Sequence, residues 1–199
     1  MAADEKELIA RSRAGDAEAF SQLVRRHEDR IYRLARHVCS GMSSEADDVY
    51  QETFLTAYRK LALFRGDSEL STWLYRIASN LCLMRRRKKS REPFVAELDR
   101  PHSHDEESAA TIAQRLPDGG PTPEEAARKK ELSGAVTAAL ARLPVEYRLV
   151  VALRDIEELP ASEAAKILKI SVPALKSRLH RGRMFLRAEL QKTLGREAA

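Results

Sequence analysis

Cysteine is scarce: Cys39 and Cys82 are the two in 199 residues, and no CxxC or clustered Cys/His spacing accompanies them. A zinc site is therefore not indicated. His27, His37 and Cys39 can be lined up as ligands on paper, but ordinary buried or solvated side chains are the expected reading. No apolar run approaches the ~18 residues of a membrane span. The opening stretch MAADEKELIARSRAGDAEAF lacks the apolar segment of a signal sequence. A soluble protein of the reducing cytoplasm is the expectation. Glycine and proline are also sparse, eight of each, and they sit at boundaries. Strand-like alternation of useful length is missing, which points away from a sheet. No Walker, zincin or nucleophile signature appears, so neither catalytic chemistry nor a cofactor is expected.

What the sequence has in quantity is charge. Charged residues make up 33%, against an average of about 25%, while 43% hydrophobic residues suffice for a core. The net charge of +5 says little until it is divided along the chain. Residues 1–91 carry a net +5, residues 92–125 a net −7, and residues 126–199 a net +7. Two basic blocks flanking an acidic one suit a polyanionic partner such as nucleic acid, although solvated helices are often as charged.

Helical spacing runs through both basic blocks. Phe20, Leu23, Val24, Ile31, Leu34 and Val38 place an amphipathic helix over 17–38. Ser44-Glu-Ala-Asp47 has capping-box form and opens a second helix to about Leu63. Phe64 to Leu70 reads as a loop, and a third helix runs from about Ser71 to Lys89 with Trp73, Leu74, Ile77, Ala78 and Leu81 on its apolar side. Residues 91–121 hold four of the eight prolines, the acidic cluster Asp105-Glu106-Glu107 and Gly119-Gly120, the composition of a linker. Thr122-Pro-Glu-Glu125 restarts order with a cap residue, a first-turn proline and a capping-box glutamate. Helices are predicted over about 123–142, 145–156, 161–168 and 172–191. The expected class is all-α: two small helical domains joined by a flexible acidic linker.

Residues 161–183, ASEAAKILKISVPALKSRLHRGR, form a helix, a break and a basic helix. Ala164, Ala165, Ile167 and Leu168 suit the first helix of a helix-turn-helix, and Ser171 can cap the second. Leu175, Leu179 and Phe185 would face inward, leaving Lys176, Ser177, Arg178, His180, Arg181 and Arg183 largely outside. A recognition helix needs this division between an apolar side that holds it and long basic or hydroxyl side chains that reach bases and phosphates. Five basic and no acidic residues occur across 176–187. A helical hairpin with a solvated basic face is the plainer alternative.

Two features stand out in the first block. Asp47, Asp48, Gln51 and Glu52 form an acidic and amide face opposite Val49, Thr53, Ala57 and Leu61. Such a face docks a basic protein surface or is merely solvated. Thr72-Trp-Leu-Tyr-Arg-Ile-Ala-Ser-Asn80 leads into Arg85-Arg-Arg-Lys-Lys89 and Arg91. Aromatics beside a dense basic run can hold single-stranded DNA; equally, they describe a core tryptophan and a basic helix end that suits the helix dipole.

The segments AEAFSQLVRRHEDRIYRLA, EADDVYQETFLTAYRKL and FRGDSELSTWLYRIASNL closely resemble region 2 of the extracytoplasmic-function group of sigma-70 family sigma factors. LPVEYRLVVALRDIEELPASEAAKILKISVPALKSRLHRGR resembles region 4 of the same group. The resemblance covers nearly the whole chain in the right order. It implies region 2 over 1–90, a linker over 91–121 and region 4 over 122–199. It implies that Asp47, Asp48, Gln51 and Glu52 bind the clamp helices of core RNA polymerase. It implies that Arg65, Asp67, Ser68, Trp73, Asn80, Arg85, Arg86 and Arg87 serve the single-stranded −10 element, with a flipped base captured by the 65–70 loop and Asn80. It implies that Lys176, Ser177, Arg178, His180, Arg181 and Arg183 read the duplex −35 element. An anti-sigma factor is a further partner such a protein can have. The chain departs from the family pattern at Pro173-Ala174, where Gly-Thr is common, and at Pro160, where a Ser or Thr cap is usual. Two competing classes are a plain helix-turn-helix regulator, which leaves Trp73–Asn80 unexplained, and a nuclease, which would need Asp47, Asp48 and Glu52 to converge on a metal.

Overall fold

The structure is a computed structural model that describes residues 4–39, 43–89 and 123–194, the side chains of 43, 86–89, 123–129 and 194 excepted. The stretch read as a linker, and the cap at Thr122, lie outside the described residues.

The first half is built on α2 (Ala17–Val38), flanked by α1 (Glu5–Arg13), α3 (Ser43–Lys60) and α4 (Leu70–Lys89), with a 3-10 turn at Leu61–Leu63. Leu23, Ile31, Leu34 and Val38 are buried as their spacing requires. The spacing skips a turn between Val24 and Ile31, and His27 fills it, 8% exposed, with Nε2 3.2 Å from Glu5 Oε2. Asp16 caps α2, its Oδ1 accepting from the Glu18 and Ala19 amides at 3.0 Å. Its other oxygen takes two Arg11 donors at 2.9 and 2.7 Å. Gly15 makes the α1–α2 corner at φ +94°, a conformation open to glycine. On α3, Val49, Thr53 and Ala57 face inward, joined by Leu61. On α4, Leu74 and Ala78 are fully inside, while Trp73, Ile77 and Leu81 pack at the margin.

The second half comprises α5 (Pro123–Arg142), α6 (Val145–Val151), α7 (Ala161–Leu168) and α8 (Val172–Leu194). The helix expected over 145–156 is continuous in extent, but Ala152–Ile156 is a π turn. The Glu157 amide donates to Ala152 O at 2.9 Å, and Glu158 follows at φ 53°. Leu175 and Leu179 of α8 are buried. Gly182 lies on the same side, and a Cβ there would stand 3.1 Å from Val151 Cγ2 and 3.9 Å from Tyr147 Cβ. That glycine sets how closely α8 approaches α6.

The halves pack on each other, α2 against α5 and α6, α4 against α6 and α7. Arg148, 2% exposed, donates to Val38 O at the end of α2 and to Ala141 O (3.0 Å) and Leu143 O (2.7 Å) at the end of α5. One buried cation thus serves the orphan carbonyls of two helix ends. The π turn delivers Glu157 to the same seam. Its side chain is 2% exposed and accepts from Arg33 at 2.7 and 3.1 Å and from Tyr75 OH at 2.6 Å. Burial, then this hydrogen bond, pushes the Tyr75 phenol well above its ordinary range. Thr72 donates to Glu163 across the same seam.

Burial, ahead of nearby arginines, holds both His27 and His37 below the ordinary 6.5, while Glu5 and Glu157 respectively pull the other way. The unfolded chain therefore binds these protons more readily than the folded one. Their neutral forms cost nothing above about pH 6.5, and stability is lost as pH falls below it. Urea midpoints should drop between about pH 7.5 and 5.5, and a His27→Gln/His37→Gln variant should drop less. Equal slopes for the two proteins would remove the histidines from the acid sensitivity.

Candidate functional site

The acidic face is where the pattern put it. Asp47, Asp48 and Gln51 are exposed on α3 and Glu52 is half-buried. Asp48 Oδ2 accepts from Arg85 at 2.9 Å, which joins this face to the basic end of α4. Leu55 and Tyr58, 50% and 51% exposed, continue the row from Asp48 and Gln51 at helical spacing. Two large apolar side chains on an otherwise polar stripe are a signal of a protein contact.

The loop between the 3-10 turn and α4 is pinned by buried Phe64 and Leu70 at its two ends. Between them Arg65 and Asp67 are exposed, Ser68 is half-buried, and Gly66 at φ +81° makes the bend. Trp73 lies half-buried with its ring 5.2 Å from Phe64 and lines a small apolar pocket with Phe54, Leu61 and Leu70. Its position is that of a brace for the loop. Asn80 is exposed, but it stands ten residues beyond Leu70 on α4, about 15 Å of helix rise. Arg85 is half-buried in its pair with Asp48. The backbone of Arg86 and Arg87 continues α4, and their side chains lie outside the described ones.

In the second half, α7 ends at Lys169 in the left-handed region, and the Ile170 amide returns to Ala165 O at 3.1 Å. Ser171 Oγ then accepts from the Ala174 amide at 3.3 Å and caps α8. With Pro173 in the first turn this is a sound helix start, so Pro173-Ala174 still supports the fold of the motif. Pro160 likewise starts α7 through its carbonyl, which takes the Glu163 and Ala164 amides at 3.0 Å. On α8, Lys176 and His180 are exposed, and Ser177, Arg178 and Arg181 are half-buried at the edge of the same face. Arg181 donates to Ser177 Oγ at 2.7 Å. Arg183 differs from these: it grips Asp155 of the π turn with bonds of 3.0 and 2.6 Å, and that carboxylate raises its pKa. No group of three or more metal-ligating side chains occurs among the described residues.

Two family models match this chain: Sigma-70 region 2 over residues 23–92, and Sigma-70, region 4 over residues 133–186. The extracytoplasmic-function RNA polymerase sigma factor SigW of Bacillus subtilis is 37% identical over 190 residues, covering 94% of this chain and 96% of that protein. The chain belongs to the sigma-70 family, in its extracytoplasmic-function group. The sigma-E factor of Escherichia coli is 33% identical, with 95% of each chain covered. Among solved structures, CnrH in complex with the cytosolic domain of CnrY superposes at TM-score 0.65 with 27% identity, over 95% of this chain and 99% of that one. The sigma factor RpoE of Bartonella quintana, solved with the anti-sigma factor NepR, shares the fold at TM-score 0.61 and 22% identity. The chain is a sigma factor for transcription initiation. It acts by binding core RNA polymerase and promoter DNA and is not an enzyme. No helix among the described residues is long and apolar enough to cross a membrane.

Proposed function

We propose a division of labour among the exposed faces of this sigma factor. Asp47, Asp48, Gln51 and Glu52, extended by Leu55 and Tyr58, dock the polymerase. Arg65, Asp67 and Ser68, braced by Trp73, and Asn80 with Arg85, Arg86 and Arg87, follow the non-template strand at −10. Lys176, Ser177, Arg178, His180 and Arg181 read −35, with Arg183 holding the recognition helix to the π turn. Residues 1–90 work as region 2 and 122–199 as region 4, on a linker over 91–121, in the cytoplasm. The observation that carries this is the placement of the polar sets on α3, α4 and α8, whose opposite faces are spent in the core. An anti-sigma factor, the class of partner seated on the Bartonella protein, is part of the proposal.

Charge reversal at Asp48 and Glu52 is expected to weaken binding to core polymerase by about tenfold, from lost attraction and new repulsion at a partly solvated contact. Helicity should be unchanged, and affinity equal to wild type would sink the assignment. Asn80→Ala is expected to slow opening of a duplex promoter by about tenfold, the worth of one good hydrogen bond. The loss should be smaller on a template with a premelted −10 bubble, since strand separation is already done. Permanganate footprinting reads the bubble, and wild-type opening with unchanged −10 preference would remove Asn80 from the site. A plain helix-turn-helix regulator would instead bind its duplex site without polymerase. Run-off transcription with core polymerase on genomic fragments separates the two.

A further inference from the structure

The docking and promoter faces make no use of the cysteines. Cys39 ends α2 and Cys82 lies in α4, 43 residues apart, yet the fold sets their sulfurs 3.8 Å from each other. Cys82 is buried at 2% exposure, while Cys39 is partly open to solvent. Among the described residues no further ligand joins them to make a metal site, and two thiols alone fall short of the four ligands of structural zinc. We propose that Cys39 and Cys82 are an oxidant-responsive thiol pair that closes reversibly to an intramolecular disulfide, with Cys39 oxidised first.

Access and charge agree on the order of events. The hydrogen bond with Cys82 draws the Cys39 thiol below its ordinary range, helped by the cations of Arg148 and Arg85. The same hydrogen bond, with burial, pushes Cys82 up. Cys39 is thus the readier thiolate and the more accessible one, the combination that favours oxidation. With a peroxide as oxidant, the Cys39 thiolate attacks one peroxide oxygen. The O–O bond breaks, and a sulfenic acid and one water or alcohol result. Cys82, losing its proton, then attacks the Cys39 sulfur; the S–O bond breaks and a second water leaves. Two thiols have lost two electrons and two protons to the peroxide, and a dithiol reductant returns them. The sulfurs must close from 3.8 Å to about 2.05 Å, a small movement at the end of a helix.

The bond would tie two working parts together. Cys82 lies two residues after Asn80 and three before Arg85 on α4, and Cys39 follows Val38, whose carbonyl Arg148 holds. The test uses the full chain, treated with hydrogen peroxide at low protein concentration, then alkylated and weighed intact. The expected result is a monomer lighter by two hydrogens that takes no alkyl group, a cross-linked peptide pair containing Cys39 and Cys82, and two alkylatable thiols again after dithiothreitol. In Cys82→Ser, a dimedone adduct should accumulate on Cys39; in Cys39→Ser, Cys82 should stay unmodified over the same time. Disulfide-linked dimers, a wild-type chain that stops at the Cys39 sulfenic or sulfinic acid, or two thiols still open to alkylation would each overturn the proposal.

Discussion

Alanine at Lys176, Arg178 and Arg181 together is expected to weaken holoenzyme binding to a −35 duplex by at least about 100-fold, since each base-reading contact is worth roughly 1–3 kcal/mol. The three losses should differ in kind. A side chain that reads a base edge relaxes preference at one position, whereas one that meets phosphate weakens all sequences alike and lowers the salt slope by about one. The structure refines the expectation for two arginines. Arg181 is held by Ser177, so Ser177→Ala should cost part of what Arg181→Ala costs. Arg183 is engaged with Asp155, so Arg183→Ala should lower the melting temperature of the second half and leave base preference alone. Titrations at several salt concentrations on wild-type and single-base-changed duplexes check this. A triple variant that binds as wild type would mean that α8 is not the reading helix.

Glu157→Gln is expected to loosen the seam and, against intuition for a loss of charge, to raise affinity for core polymerase. The Glu157 side chain is 2% exposed and lies between Arg33 and Tyr75. Removing its charge weakens a charge-assisted bond on each side, of order 1–3 kcal/mol together. The seam is already imperfect: Arg76 Nε and Ser79 Oγ, on the same side of α4 as Thr72, are buried without a hydrogen-bond partner. A −35 and a −10 element are about 25 base pairs apart, on the order of 80 Å of duplex. On the division of the two elements proposed above, halves in contact through α4 and α7 do not reach both, so the seam is expected to part as the two halves spread on the polymerase. Apparent affinity is reduced by the fraction of molecules that are open, and the substitution should return roughly 5- to 100-fold of it. Scattering should show a larger radius of gyration for Glu157→Gln, and Arg33→Ala should move the same way. Unchanged radius and unchanged core affinity in both would show that the seam does not govern access.

Long amphipathic helices were legible because burial follows a 3.6-residue period: Leu23, Ile31 and Leu34, or Leu175 and Leu179, announce their faces. α1 was not, since Leu8 is its one fully buried hydrophobic side chain and one residue has no period. The π turn at Ala152–Ile156 was read as ordinary helix because the apolar pattern does not distinguish a five-residue from a four-residue hydrogen bond. The seam was invisible for another reason. Arg33 and Glu157 are 124 residues apart, and each looks like a solvated charge until the fold buries one of them. Arg148 is the extreme case, an arginine at 2% exposure whose sequence neighbours gave no hint of its two helix ends. At the site, residue chemistry was legible and geometry was not. The resemblance joins Asn80 to the 65–70 loop, and α4 sets Asn80 ten residues beyond Leu70, about 15 Å of helix rise.

The contact at Gly182 divides α8 into two sectors under different packing constraints. One sector, Leu175, Leu179 and Gly182, is fitted to α6 so closely that even a methyl group would press on Val151. The other, with Lys176 and His180, is exposed. On the proposed −35 role, a change of promoter can be written into the second sector without re-solving the packing of the first. If α8 reads −35 as proposed, it does so as an exchangeable reading edge on a fixed mount.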